Sequence, residues 1–191
     1  MKYERIINTI SISKDLLSQH IKEGDIVLDA TVGNGNDTLD LARLVGKDGK
    51  VFGFDIQKIA IENTKDLLEQ NKLLESVVLI NDSHENIDQY IFEPLDFAIY
   101  NLGYLPKGNK NIKTKSKSTV ISVTKTLELL NKKGLLIIIS YIGHPGGLEE
   151  KEALEEKLKE LDQKKFNVLK SEFINQKNLP PLLYIIEKAN K

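Results

Sequence analysis

Asp29-Ala30-Thr31-Val32-Gly33-Asn34-Gly35-Asn36-Asp37-Thr38 is the segment richest in groups that could hold a small molecule. Gly33 and Gly35 permit a tight turn and let a ligand approach backbone N–H groups closely. A dinucleotide-binding turn would place a third glycine where this chain has Thr38. Carboxylates stand on both sides of the turn, at Asp29 and Asp37. They would repel a pyrophosphate and welcome a cationic or zwitterionic ligand. On this reading Asp29 accepts from an ammonium, and its field suits a neighbouring sulfonium.

Two more acidic segments follow. Phe52-Gly53-Phe54-Asp55-Ile56 brings in Asp55, near the spacing of about 20 residues at which a ribose-binding acid follows such a turn. A carboxylate there can accept from both hydroxyls of a ribose diol. Asn81-Asp82-Ser83-His84 offers Asp82 and Ser83 as partners for an exocyclic amine or ring nitrogen, and His84 as a surface for the ring. Taken singly, Asp37 and Ser83 also suit helix caps, and Asp55 a turn. Taken together, the three segments favour an adenosine-bearing ligand.

These groups need a frame that brings them to one edge. Short apolar runs at Asp25–Thr31, Lys50–Ile56, Ser76–Asn81, Leu95–Asn101 and Leu135–Tyr141 read as buried parallel strands. Amphipathic stretches at Asp37–Val45, Lys58–Asn71 and Ser118–Leu130 read as helices. A shorter helix is expected over Glu85–Ile91, and another before Ile21, with Ile12, Leu16 and Leu17 as its apolar stripe. The alternation predicts an α/β fold with a Rossmann-like, doubly wound sheet. After a charged helix at Leu148–Leu161, the runs Phe166–Ile174 and Leu182–Glu187 have too little chain between them for a parallel crossover, so they should pair antiparallel. Seven strands result. In such sheets ligands bind beyond the carboxyl ends of the strands, where Asp29, Asp55 and Asp82 fall.

Composition narrows the chemistry further. The 191 residues suit one domain, and 28 acidic against 27 basic residues exclude a polycation, so any nucleic-acid contact must be a local patch. Cysteine is absent, which excludes disulfides, thiolate metal sites and cysteine nucleophiles. The histidines His20, His84 and His144 form no short-spacing ligand cluster, so no metal site is expected. No apolar run approaches the roughly 20 residues of a membrane helix, and the chain opens without a secretory apolar core. A cytoplasmic protein with no membrane contact is expected.

Together the motifs resemble the class I S-adenosylmethionine-dependent methyltransferases. The glycine turn, Asn101-Leu102-Gly103-Tyr104-Leu105-Pro106 and Tyr141-Ile142-Gly143-His144-Pro145-Gly146-Gly147 are similar to one bacterial subfamily labelled "putative rRNA methylase", whose members include enzymes methylating 5-aminomethyl-2-thiouridine of tRNA. The resemblance implies strand order 3-2-1-4-5-7-6 with the last strand antiparallel. It implies one domain over 1–191: a helical segment at 1–23, a cofactor-binding core at 24–147 and a C-terminal helix and hairpin at 148–191. S-adenosyl-L-methionine would be the cofactor, touched by Asn34, Asn36, Asp55, Gln57, Ser83 and His84 beside the glycine turn.

The resemblance also points to an acceptor side. Asn101-Leu102-Gly103-Tyr104 is similar to the Asn-Pro-Pro-Tyr loop of enzymes that methylate amino nitrogen, with Leu102-Gly103 in place of the prolines. An Asn carbonyl can accept the amine's N–H and aim its lone pair at a methyl carbon. Tyr104 would stack on a base or close the pocket. His144 is the titratable candidate to take up the amine's proton, with bulk water as the competing answer. Lys107, Lys110, Lys113, Lys115 and Lys117 follow without an intervening acid, a reasonable contact for an RNA backbone as well as a plain solvated loop. Pro180 and Pro181 would form the opposite wall. With Arg5 and Arg43 the only arginines, recognition would depend on shape and a flipped base. The expected activity is N-methylation of the aminomethyl group at the tRNA wobble uridine, the tRNA anticodon region being the partner and a homodimer the common assembly. Ribosomal RNA or a small amine is the alternative acceptor. A non-catalytic RNA- or nucleotide-binding protein is the alternative of another class.

Overall fold

The computed structural model describes residues 7–103 and 113–190. A seven-stranded sheet in the order β3-β2-β1-β4-β5-β7-β6 forms its centre. The strands are β1 (Ile26–Asp29), β2 (Lys50–Phe54), β3 (Val77–Ile80), β4 (Leu95–Leu102), β5 (Leu130–Ser140), β6 (Phe166–Ser171) and β7 (Leu182–Lys188). The first five run parallel, and β7 runs antiparallel to both β5 and β6. The expected strand order and antiparallel last strand are both present.

Side chains alternate across this sheet and so build two cores. Val27, Val51, Phe97, Ile99 and Ile137 face one side, where they meet Leu17, Leu41, Val45 and Leu68. Those partners come from α1 (Thr9–His20), α2 (Asn36–Val45) and α3 (Lys58–Gln70). Leu28, Phe52, Ala98, Tyr100 and Ile138 face the other side, against Val123, Leu127, Leu154 and Leu158. These belong to α4 (Ser116–Leu129) and α5 (Gly147–Lys159). The middle of the sheet is therefore covered on both faces, which leaves the carboxyl ends of its strands to receive a ligand.

Two local departures from the sequence reading have physical causes. β5 starts at Leu130, directly after α4, rather than at Leu135. The Lys188 ammonium donates to the carbonyls of Leu127, Glu128 and Leu130 and so satisfies the end of α4 without a loop. Leu130 pairs with Leu95 and Leu135 with Phe97, so two steps of β4 face five of β5, with Lys133 at φ +63° inside the irregularity. In α1 the buried row is Thr9, Ser13 and Leu17, with Ile12 and Leu16 only partly covered. Both polar members are satisfied: Thr9 donates to the distant Pro181 carbonyl at 2.9 Å and Ser13 to that of Ile10, one turn back, at 2.8 Å.

Candidate active site

The chain leaves β1 through the glycine turn, and the turn is braced from beneath. Asp29 is fully buried; its carboxylate accepts from the Thr38 hydroxyl at 2.6 Å and the Thr31 N–H at 3.1 Å. Burial, with the nearby charge of Asp37, pushes its carboxyl up to about 7. Thr38 and Asp29, the latter expected to meet an ammonium, are absent from the walls of the two clefts at the strand ends. The Asp29 carboxylate ties the turn to α2. Gly33 (φ +54°) and Gly35 (φ +76°) take the left-handed conformation the turn demands. A Cβ on Gly35 would sit 2.5 Å from the Thr64 Oγ1, so this glycine serves close packing of the turn on α3 and is absent from both cleft walls.

The first cleft, about 470 Å³, opens beyond β1, β2 and β3. Gly33, Asp55, Gln57, Asp82, Ser83 and His84, all expected at the cofactor, line it together. Asp55 is held by two backbone donors, Gly33 N–H at 2.9 Å and Gln57 N–H at 2.8 Å. Burial raises its pKa, with the Gln57 and Gly33 N–H groups working against that shift. Each oxygen retains a lone pair for a further donor. Asp82 is committed more heavily, accepting from Ser83 N–H, the Asn86 amide and the Tyr90 hydroxyl. Burial pushes its carboxyl up, yet these donors together hold it below the ordinary value.

Ser83 caps the 3-10 helix His84–Gln89, accepting from Glu85 N–H. His84 is buried edge-on against Tyr100, its rings 5.9 Å apart, and burial pulls its pKa down to about 4. The ring is therefore neutral, and its Nδ1 has no hydrogen-bond partner among the described residues. An orphaned acceptor or donor in a cleft wall, beside a carboxylate with spare lone pairs and an Ile56 side chain 62% exposed, fits a heterocycle joined to a hydroxylated sugar. Ile56 went unassigned in the sequence because it reads there as strand core.

The second cleft, about 890 Å³, lies on the other side of the turn. Asn34, Asn36 and Asp37 line this one rather than the first, with Tyr141, His144 and Leu179. Ile10 and Lys14 of α1 line it too; one helical turn apart, they form a face that its apolar stripe does not reveal. Pro180 and Pro181 are not in the wall: the neighbouring Leu179 takes that place. Asn178 (φ +67°) and Leu179 (φ +51°) are both left-handed, an uncommon backbone for either residue and especially for leucine.

Both clefts share Thr31, Gly33, Asn101 and Gly103. Asn101, next to last in β4, donates its N–H to the Thr31 hydroxyl at 2.7 Å. Its carboxamide nitrogen donates to Asp37 Oδ2 at 2.8 Å, so the carbonyl Oδ1 points away from Asp37. A Cβ on Gly103 would lie 3.8 Å from His144 Nε2, and His144 Nδ1 lies 3.1 Å from the Pro145 carbonyl. Lys113, Lys115 and Lys117 line the first cleft, with the Lys113 ammonium bonded to the Pro145 carbonyl. Tyr104, Lys107 and Lys110 lie outside the described residues. No group of three or more metal-ligating side chains occurs among the described residues, and no described helix is long and apolar enough to cross a membrane.

The chain is similar to known proteins in sequence and fold. The family described as "Putative rRNA methylase" matches residues 51–187. The chloroplastic tRNA (mnm5s2U34)-methyltransferase of Arabidopsis thaliana is 38% identical over 182 residues, 90% of this chain and 66% of that protein. The chain thus spans just under two thirds of that relative's length. The crystal structure of a "putative rRNA-methylase" from Clostridium thermocellum is 49% identical with a TM-score of 0.93, covering 95% of this chain and 97% of that one. A "putative methyltransferase" from Streptococcus mutans, in complex with SAH, is 41% identical with a TM-score of 0.86, covering 95% and 98%.

Proposed function

The chain belongs to the "Putative rRNA methylase" family of S-adenosylmethionine-dependent methyltransferases, and from that premise we propose that it methylates the aminomethyl nitrogen of 5-aminomethyl-2-thiouridine at the tRNA wobble position. One observation carries the reading: Asn101 stands in the wall common to both clefts, with its amide nitrogen bonded to Asp37 and its carbonyl turned away from it. When bound, S-adenosylmethionine supplies an activated methyl carbon, and transfer forms a C–N bond while the C–S electron pair leaves with sulfur. The residues of the first cleft fit that group. Asp55 accepts from ribose hydroxyls while Gly33 and Gln57 hold its carboxylate still. Ile56, Ser83 and His84 enclose the heterocycle.

From the second cleft the amine reaches Asn101, whose carbonyl accepts one N–H and aims the lone pair across the shared wall. His144, beside Gly103, takes up the proton that a cationic amine must lose before it attacks. The acceptor's RNA backbone lies against Lys113, Lys115 and Lys117. The tRNA assignment draws support from the activity for which the Arabidopsis relative is named. Ribosomal RNA is the second reading, favoured by the family's own description. Purified protein incubated with S-adenosylmethionine and either tRNA bearing unmethylated aminomethyl-thiouridine or unmodified ribosomal RNA separates them. Nucleoside mass spectrometry should show one methyl gained on the aminomethyl group. Methylated ribosomal RNA with unchanged tRNA would replace the first reading by the second.

A further inference from the structure

Resting on that acceptor reading, we propose that Asp37 is the charge-bearing residue of the acceptor cleft: it positions the Asn101 carboxamide and stabilises positive charge on an aliphatic amine, selecting such amines over ring-attached amino groups. Asp37 is half-buried in the first turn of α2 and lines the second cleft with Asn101. Its Oδ2 accepts from Asn101 Nδ2 at 2.8 Å, and it makes no ion pair among the described residues. The cations beside it pair with Asp40, although Lys14, its pKa raised first by its bond to Asp40, also feels the Asp37 charge. Lys14 is 2.7 Å and Arg43 3.5 Å from Asp40, and Arg43 also donates to Asn71. Tyr141, His144 and the buried Asp29 complete the titratable surroundings of Asp37. None of these described neighbours cancels its charge through an ion pair.

The reaction gives that charge a use. The amine surrenders one proton, attacks as a neutral nucleophile, and becomes positive as the C–N bond forms and sulfur becomes neutral. A carboxylate beside the nitrogen is therefore worth more in the transition state than before it. An amino group conjugated with a base ring arrives uncharged and gains less in the binding step. Carboxamide and carboxylate act as one unit here, the first aiming the nitrogen and the second taking its charge.

A two-by-two binding comparison tests the assignment. An anticodon stem-loop with an aminomethyl uridine and the same stem-loop with plain uridine are titrated, with S-adenosylhomocysteine present, into wild type and Asp37→Asn. Wild type should prefer the aminomethyl RNA by about 10- to 100-fold, the range of a charge-assisted hydrogen bond. In Asp37→Asn that preference should vanish, while affinity for plain RNA and for S-adenosylhomocysteine stays at the wild-type level. Asn101→Ala serves as the second variant: with the Asp37 carboxylate still present it should lose turnover and only part of the preference, whereas Asp37→Asn loses the preference altogether. A preference that survives Asp37→Asn, or a collapse of S-adenosylhomocysteine binding in that variant, would overturn the proposal. Failure of the underlying reading looks different: wild type itself would neither prefer nor methylate the aminomethyl RNA.

Discussion

Asn101 has three polar groups near the shared wall, and two are already engaged. Its N–H is bound to Thr31 and its amide nitrogen to Asp37, which leaves Oδ1 as the acceptor. Asn101→Ala should therefore lower kcat by about 100-fold, the scale on which lost orientation is felt. S-adenosylhomocysteine affinity by calorimetry should not change, since the first cleft keeps Asp55 and His84. Unaltered turnover would remove Asn101 from the acceptor site. Asp55 should behave in the opposite way. Asp55→Ala loses a carboxylate that two backbone N–H groups hold in place, and calorimetry should show cofactor affinity down by about 10- to 100-fold. Wild-type affinity in that variant would exclude the ribose role.

At the scale of the element, the glycine turn depends on a carboxyl group buried beneath it, bonded to Thr31 and Thr38. Asp29 titrates near 7 in the folded protein and at its ordinary, lower value when unfolded, so the folded form binds the extra proton. Its stabilising contribution is complete below the ordinary carboxylate range and diminishes as pH rises through about 7. Asp29→Asn should flatten the decline of Tm across that window relative to wild type; identical slopes would mean that Asp29 titrates normally. Gly35→Ala should cost about 1–3 kcal/mol in denaturant unfolding, because its Cβ would meet Thr64 and the left-handed φ would be strained. A neutral result would show that α3 can yield. These roles were hard to read from residue types alone. An aspartate beside a glycine turn looks the same whether it faces a ligand or braces the turn, and only the 2.6 Å bond to Thr38 decides. Thr9 and Ser13 were missed as core positions because they are polar, with hydrogen-bond partners, Pro181 and Ile10, that a pattern search does not see.

Across the whole molecule, apolar alternation and connection length were enough to predict seven strands and the antiparallel final pair, because each is a local constraint on chain path. The division of the site into two clefts was not legible. Asn34, Asn36 and Asp37 adjoin Gly33 in sequence, yet the turn and the start of α2 place them on its far side. The lysines raise a prediction at this scale as well. Replacing Lys113, Lys115 and Lys117 with alanine should reduce the slope of log RNA affinity against log salt by about 2, the effect of three lost single-strand phosphate contacts. An unchanged slope would free this segment from RNA binding. The most direct trial of the whole arrangement is a crystal structure of the protein with S-adenosylhomocysteine. The ribose should rest on Asp55, the adenine beside His84, and the sulfur should be directed at Asn101 across the wall where the two clefts meet. A ligand seated with its sugar away from Asp55, or its sulfur away from Asn101, would contradict it.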